Sequence, residues 1–149
     1  MTERERLRKV ERCLRNYKIN TALLEQLRAE LIELREGTDI HAQDYRGRVM
    51  SGAVGADPVS SYVHRVMNIE HRISVLERYT LPVQQLREDL QRSTDTASRN
   101  LLLILEQHYI GSVPMTRMLE VTGWNRSTFY SRCLSLVSLA VGYFVEDKN

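Results

Sequence analysis

Apolar residues recur along most of the chain at steps of three and four, the spacing of one face of an α-helix, and strand-like alternation is nearly absent. Four of these positions predict a first amphipathic helix: Leu7, Val10, Leu14 and Tyr17. A second series, which stops before Gly37, predicts a second helix: Leu24, Leu27, Leu31 and Leu34. Glycine is typical of helix C-termini. We therefore predict an all-α protein in which residues 1–36 form an N-terminal helical pair.

The pattern then changes over residues 37–56, which hold four glycines and show no helical period. This segment is predicted to be an irregular loop or linker. Asp57 and Pro58 restart a helix, with Asp as the N-cap and Pro in the first turn, and this long helix is predicted over 57–92. It contains a heptad seam of six residues: Val59, Tyr62, Val66, Ile69, Ile73 and Leu76. The seam continues loosely through Val83, Leu86 and Leu90, past a predicted break at Pro82. The seam suits pairing between two chains and packing onto the first two helices equally well.

Residues 96–145 are predicted to form a C-terminal module of three helices. An apolar helix covers 96–110, and a short helix with Pro114 in its first turn ends at Gly123. The third helix is capped by Asn125 and runs to about Tyr143. Since glycine tolerates positive φ, Gly123 suits the turn of a helix-turn-helix. A helical hairpin without a ligand fits the same pattern.

Placing Gly123 in that turn separates the residues that follow into two groups. Trp124 and Phe129 fall at apolar contact positions, whereas five residues form the exposed front of the third helix: Asn125, Arg126, Ser127, Tyr130 and Ser131. Arginine reads guanine or binds phosphate, asparagine can read adenine, and hydroxyl groups bond phosphates. The pattern therefore favours a DNA-binding helix, although Leu119 is larger, and Arg132 more polar, than the motif usually carries.

Charge supports nucleic-acid binding only mildly. The net charge is +2, but residues 1–18 contain seven basic and three acidic residues. A basic patch is the electrostatic signature of nucleic-acid binding, and a solvated helix surface explains the cluster as well. The candidates for contacts to the DNA backbone are Arg4, Arg8, Arg12 and Arg117.

Other classes of function receive no support from the sequence. Cys13 and Cys133 form no CxxC pair and are expected to be buried free thiols, and His64 and His71 lie too far apart on a helix to share a metal. We expect no metal, no cofactor and no enzymatic activity, because neither a phosphate-binding loop nor a nucleophile–base set is present. No apolar run reaches membrane-spanning length, and the charged start argues against a secretory signal. A cytoplasmic protein is expected.

Three stretches carry a resemblance to a known family. They are "NLLLILEQHYI", the short helix to Gly123, and "RSTFYSRCLSLVSLA". Their order resembles the phage late-gene transcriptional regulators of the RinA and ArpU type, whose last module is similar to the promoter-reading region of sigma factors. The resemblance covers about 50 residues well and the rest of the chain loosely. It implies activation at a late promoter in the cytoplasm of a bacterial host, with double-stranded DNA and host RNA polymerase as partners. It places four residues at DNA: Ser127, Thr128, Tyr130 and Arg132.

One feature is unlike that family, because "LSLVSLAVGYFV" contains no Lys or Arg where relatives often have several. The apolar segment must be covered either by the core or by a partner. We expect self-association, as a dimer, through this segment or the 59–90 seam. Two alternative functions remain: a phage terminase small subunit, in which the DNA module usually comes first, and a helical assembly or inhibitory protein that does not contact DNA.

Overall fold

The computed structural model describes residues 1–37 and 58–144, and this part of the protein is all-helical, as predicted, with no strand. Its α-helices are α1 (Glu3–Arg15), α2 (Tyr17–Glu36), α3 (Pro58–Arg92), α4 (Thr96–Leu103), α5 (Met115–Thr122) and α6 (Arg126–Val141). A π-helical segment, Ile104–Ile110, continues directly from α4. The predicted loop, apart from Gly37, and the predicted N-cap Asp57 lie outside the described residues.

The described chain divides into two compact units that do not follow the predicted segments. Unit 1 combines Met1–Thr21 with the described chain from Arg78 onward, and unit 2 is Ala22–Glu77. The first helix, predicted to pair with the second, therefore belongs to the unit that holds the C-terminal helices. Unit 1 therefore joins α1 and the end of α3 to the helices of residues 96–144.

The core of unit 1 explains why α1 joins the C-terminal helices. α1 begins with a capping box, in which Thr2 and Glu5 satisfy each other's backbone N–H groups. Its apolar face then joins one continuous cluster with residues of α3, the π-helical segment, α5 and α6: Val10, Cys13, Leu14, Val83, Leu86, Leu90, Ile104, Leu105, Tyr109, Met118, Phe129, Cys133, Leu136, Val137 and Ala140. The apolar end of the chain is therefore covered mainly by this core. Leu134 and Leu139 alone among its large apolar residues stay exposed in the described part.

Within unit 1, α1 runs antiparallel to α6. Met1 and Leu7 line a shallow cleft with Ser138 and Val141, so the start of α1 lies beside the end of α6. At the other end of α1, the Arg15 guanidinium lies 5.0 Å from the ring centroid of Tyr109. The Tyr109 side chain in turn lies beside the Cys133 thiol, near the middle of α6.

The break predicted at Pro82 is wrong, because α3 continues through it to Arg92. Proline removes one helical N–H and costs about 3 kcal/mol in a helix interior. The three apolar residues that follow it in the core, Val83, Leu86 and Leu90, are at most 4% exposed. Burying each such side chain contributes about 1.5–3 kcal/mol, so their packing outweighs the missing hydrogen bond.

The helix predicted over 96–110 changes from an α-helix to a π-helix at Ile104. Its last residues adopt the wider π form, and the Gly111 N–H donates to the Glu106 carbonyl at 2.9 Å. A Cβ at Gly111 would lie 2.9 Å from the Gln107 carbonyl oxygen, so glycine permits this close approach. The wider turn brings Ile104, Leu105 and Tyr109 into the core together.

In unit 2, part of the predicted seam packs within one chain. Ile69 and Ile73 of α3 are buried against Leu24 and Leu27 of α2, with Leu31, Leu34 and Leu76 packed around them. The helices run antiparallel, because Arg28 pairs with Glu77 and Arg35 with Glu70. For the Ile69–Leu76 part of the seam, the structure selects the intramolecular alternative.

Candidate nucleic-acid interface

The turn between α5 and α6 is built as the sequence predicts. Gly123 is left-handed, with a φ of 76°, and its N–H donates to the Leu119 carbonyl. The Thr122 hydroxyl donates to the Met118 carbonyl at 2.7 Å and accepts the Trp124 N–H at 3.2 Å. These hydrogen bonds fix the direction in which the chain enters α6.

Asn125 starts α6 as its N-cap. The Asn125 Oδ1 accepts the Thr128 N–H at 2.8 Å, which satisfies one of the unpaired donors at the helix start. The cap is confirmed. Asn125 thus positions α6 and is exposed at its start, and its contact to DNA stays a prediction.

The sides of α6 differ sharply in burial. Phe129 is 1% exposed and Leu136 is fully buried, whereas Tyr130 is 59% exposed. The predicted front residues Arg126, Ser127 and Ser131 are exposed together with Tyr130. The structure therefore brings these four residues onto the accessible surface of one helix.

Two residues that the family resemblance places at DNA are positioned differently. Thr128 is half-buried. The Arg132 guanidinium lies 4.3 Å from the centroid of the Trp124 ring, and its Nη1 is buried without a hydrogen-bond partner in the described chain. Stacking on indole stabilises the arginine against the turn. Arg132 thus lies against the protein in this structure.

The exposed surface of α6 extends beyond the predicted front. Leu134, Ser135 and Ser138 are also exposed, at helical spacing from Ser127 and Ser131. Continuing the period of three and four past Ser131 would have found them in the sequence. This part of the surface carries hydroxyl groups and one large apolar side chain, and no charge.

The remaining basic candidates fall into two groups. Arg117 is exposed on α5 and pairs with Glu120 at 3.3 Å. Arg4, Arg8 and Arg12 are exposed at steps of four along α1, and none pairs with an acidic side chain in the described chain. Each step of four residues rises about 6 Å, so the three form a row of positive charge on the side of α1 away from the core.

Two titratable side chains, Cys133 and Tyr109, are buried in the core of unit 1. Burial raises the pKa of the Cys133 thiol, and burial next to Cys133 also raises the pKa of Tyr109, so both groups stay protonated near neutral pH. Cys13 and Cys133 are buried free thiols, as predicted. Residues 1–37 and 58–144 contain no cluster of His, Cys, Asp and Glu suited to a metal ion.

The chain matches no protein-family model, and no curated protein or solved structure matches it. No helix in the described ranges is long and apolar enough to cross a membrane.

Replacing Gly123 by Ala should destabilise the turn. A Cβ there meets nothing within 4 Å, so the cost comes only from the positive φ and should be about 1–2 kcal/mol of unfolding free energy. Gly123→Asn should recover part of the loss, because asparagine tolerates the left-handed conformation. Urea denaturation measures the unfolding free energy of both variants. Equal losses for Ala and Asn would contradict the argument that the cost comes from the positive φ.

Proposed function

We propose that the protein is a sequence-specific DNA-binding regulator of transcription that places α6 in the major groove. The observation that carries the proposal is the contrast along α6: Phe129 and Cys133 hold the helix in the core while Arg126, Ser127, Tyr130 and Ser131 face solvent just after a fixed turn. Recognition helices of helix-turn-helix proteins contact base edges with such N-terminal residues. The family resemblance supports a role at phage late promoters, with host RNA polymerase as a further partner.

In this proposal, Arg126 supplies the principal base contact. It is the first residue of α6 and exposed, and no acidic residue of the described chain pairs with it. Arginine binds guanine in a bidentate manner, which discriminates against other bases by about 1–3 kcal/mol. Tyr130, one turn further along, adds a contact through its ring or hydroxyl group.

The row on α1 supplies contacts to phosphates. Arg4, Arg8 and Arg12 lie in the same compact unit as α6 and carry positive charge without acidic partners. Such contacts strengthen binding to every sequence and make it depend on salt. They compensate for the low charge of α6 itself.

A direct test starts from a randomised duplex library, because the target sequence is not needed in advance. The full-length protein should enrich a defined motif at moderate salt. In anisotropy titrations on that motif, Arg126→Ala should weaken binding by about 5- to 150-fold, corresponding to 1–3 kcal/mol, and reduce preference at one base position. Tyr130→Ala should also weaken binding. Arg72→Ala, which removes an exposed arginine of unit 2, is the matched control and should bind like the wild type.

A triple variant distinguishes phosphate contact by α1 from base contact by α6 in the same titration. It replaces Arg4, Arg8 and Arg12 by Ala. It should weaken the selected and scrambled duplexes alike, and lower the dependence of log K on log salt by about 0.9 for each lost phosphate contact. Failure to enrich any motif, or wild-type affinity of both α6 variants, would overturn the proposal.

One observation favours a second candidate, a helical assembly or inhibitory protein that does not contact DNA. Leu134 is 57% exposed in the middle of the accessible α6 surface, and no basic residue follows Arg132 on that helix. Such a surface suits contact with another protein. Absence of any DNA preference in the selection would favour this candidate.

A further inference from the structure

One side of the α2–α3 hairpin in unit 2 combines charged pairs with exposed apolar residues. Arg28 and Glu77 lie 3.8 Å apart, and Arg35 and Glu70 lie 3.3 Å apart. The same exposed side of α2 holds Ile32, one turn from both arginines, and the same exposed side of α3 holds Ser74 and Met67, one turn from Glu70, and Val63, two turns from it. We call this surface the flank; it comprises Arg28, Ile32 and Arg35 of α2 with Val63, Met67, Glu70, Ser74 and Glu77 of α3.

Apolar residues of the flank are not used by the core of the same chain. Ile32 is 57% exposed, Met67 61% and Val63 44%, whereas Ile69 and Ile73 on the adjacent side of α3 are at most 8% exposed. Large apolar residues that stay exposed on one side of a hairpin are available for contact with a partner. Leu23, 43% exposed, lies outside the flank on the opposite side of α2.

Charge on the flank is arranged in two rows of opposite sign. α2 contributes Arg28 and Arg35, and α3 contributes Glu70 and Glu77. Their side chains remain between 36% and 54% exposed, so each pair keeps donors and acceptors free for further hydrogen bonds. A surface that carries both rows is complementary to itself, as an isologous interface requires.

The rows also select one arrangement of two copies. With the two-fold axis parallel to the helices, α2 of one copy lies antiparallel over α3 of the other, and each arginine row meets a glutamate row. With the axis perpendicular to the helices and within the interface, α2 lies over α2, and like charges meet. The first arrangement places Ile32 at the level of Ser74 of the other copy, because Arg28 is level with Glu77 and Arg35 with Glu70. The small serine leaves room for the isoleucine side chain.

We propose that two copies of this chain associate through the flank, forming a four-helix bundle in which the arginine row of each copy lies over the glutamate row of the other. Ile32 loses its exposure to water against Ser74 of the other copy, and the two ion pairs join into networks across the interface. Water exclusion strengthens these charge interactions, which determine the pairing more than the affinity. The inference is independent of DNA binding, since association is measured on the protein alone.

Sedimentation equilibrium of the full chain tests the apolar part of the interface. The wild type should sediment at twice the chain mass at micromolar concentration, and the variant Ile32→Asp at the chain mass. Leu23→Asp is the matched control, because it also adds one negative charge at an exposed apolar position of α2, outside the flank, and it should remain dimeric. A monomeric wild type at high micromolar concentration, or a dimeric Ile32→Asp variant, would overturn the proposal.

Two charge variants test the arrangement itself, with circular dichroism to verify that both are helical. One chain carries Arg28→Glu with Arg35→Glu, so that both rows are acidic, and the other carries Glu70→Arg with Glu77→Arg, so that both are basic. Each should sediment as a monomer alone, and an equimolar mixture should form a heterodimer that dissociates as salt is raised. A mixture that stays monomeric while the wild type is dimeric would exclude this pairing of the rows.

Discussion

Leu14→Ala should lower the unfolding free energy of the C-terminal helices by about 2–5 kcal/mol, although Leu14 lies far from them in sequence. Leu14 is fully buried, and its cluster includes Leu86, Ile104 and Leu136. Truncation removes the transfer free energy of the side chain and leaves a cavity that the surrounding helices only partly fill. α1 thus acts as a structural part of the unit that presents α6.

The single tryptophan lies in unit 1, so its fluorescence can measure the loss of unfolding free energy in that unit. Trp124 follows the turn before α6, so its fluorescence during urea denaturation reports unfolding of unit 1. Leu23→Ala is a matched control, because Leu23 is 43% exposed in unit 2, and it should shift the fluorescence transition by less than about 1 kcal/mol. Equal transitions for Leu14→Ala and the wild type would contradict the inclusion of α1 in unit 1.

Phe129→Ala and Tyr130→Ala should lower the unfolding free energy by very different amounts although the residues are adjacent. Phe129 is 1% exposed, and its ring meets the His108 ring edge-on, with centroids 5.0 Å apart. Its truncation should cost about 3–5 kcal/mol of unfolding free energy. Tyr130 is 59% exposed, so its truncation should cost at most about 1 kcal/mol, which includes its ring contact with Phe129.

Denaturation and DNA titration together distinguish the two roles. Under the proposed function, Tyr130→Ala loses DNA affinity while its unfolding free energy stays close to that of the wild type. In Phe129→Ala the unfolding free energy falls, and any loss of DNA affinity follows from that. If Tyr130→Ala proves as destabilising as Phe129→Ala, the orientation of α6 is wrong. Unchanged DNA affinity of a stable Tyr130→Ala protein would instead remove Tyr130 from the proposed interface.

The local features of the candidate site could be predicted from the sequence. Positive φ at Gly123 and the cap at Asn125 follow from what these side chains do at a helix boundary, whatever surrounds them. Exposure of Arg126, Ser127, Tyr130 and Ser131 follows from the period of three and four once Phe129 is placed inward. The position of Arg132 could not be predicted in this way, since it depends on the indole that the turn brings beside it.

The sequence by itself determined the helical class, most helix ends and the inward side of each helix, because helix period and caps depend on neighbours within a few residues. Only the tertiary structure decided which inward sides meet. The apolar residues of α1 suit packing on α2 or on α6 equally, and the structure shows that they complete the core around Leu86, Ile104 and Leu136. Likewise, Ile69 and Ile73 suit a partner chain or the leucines of α2, and they pack on Leu24 and Leu27. Hydrophobic burial is non-directional, so the pattern specifies that a face must be covered, and only the packed structure specifies by what.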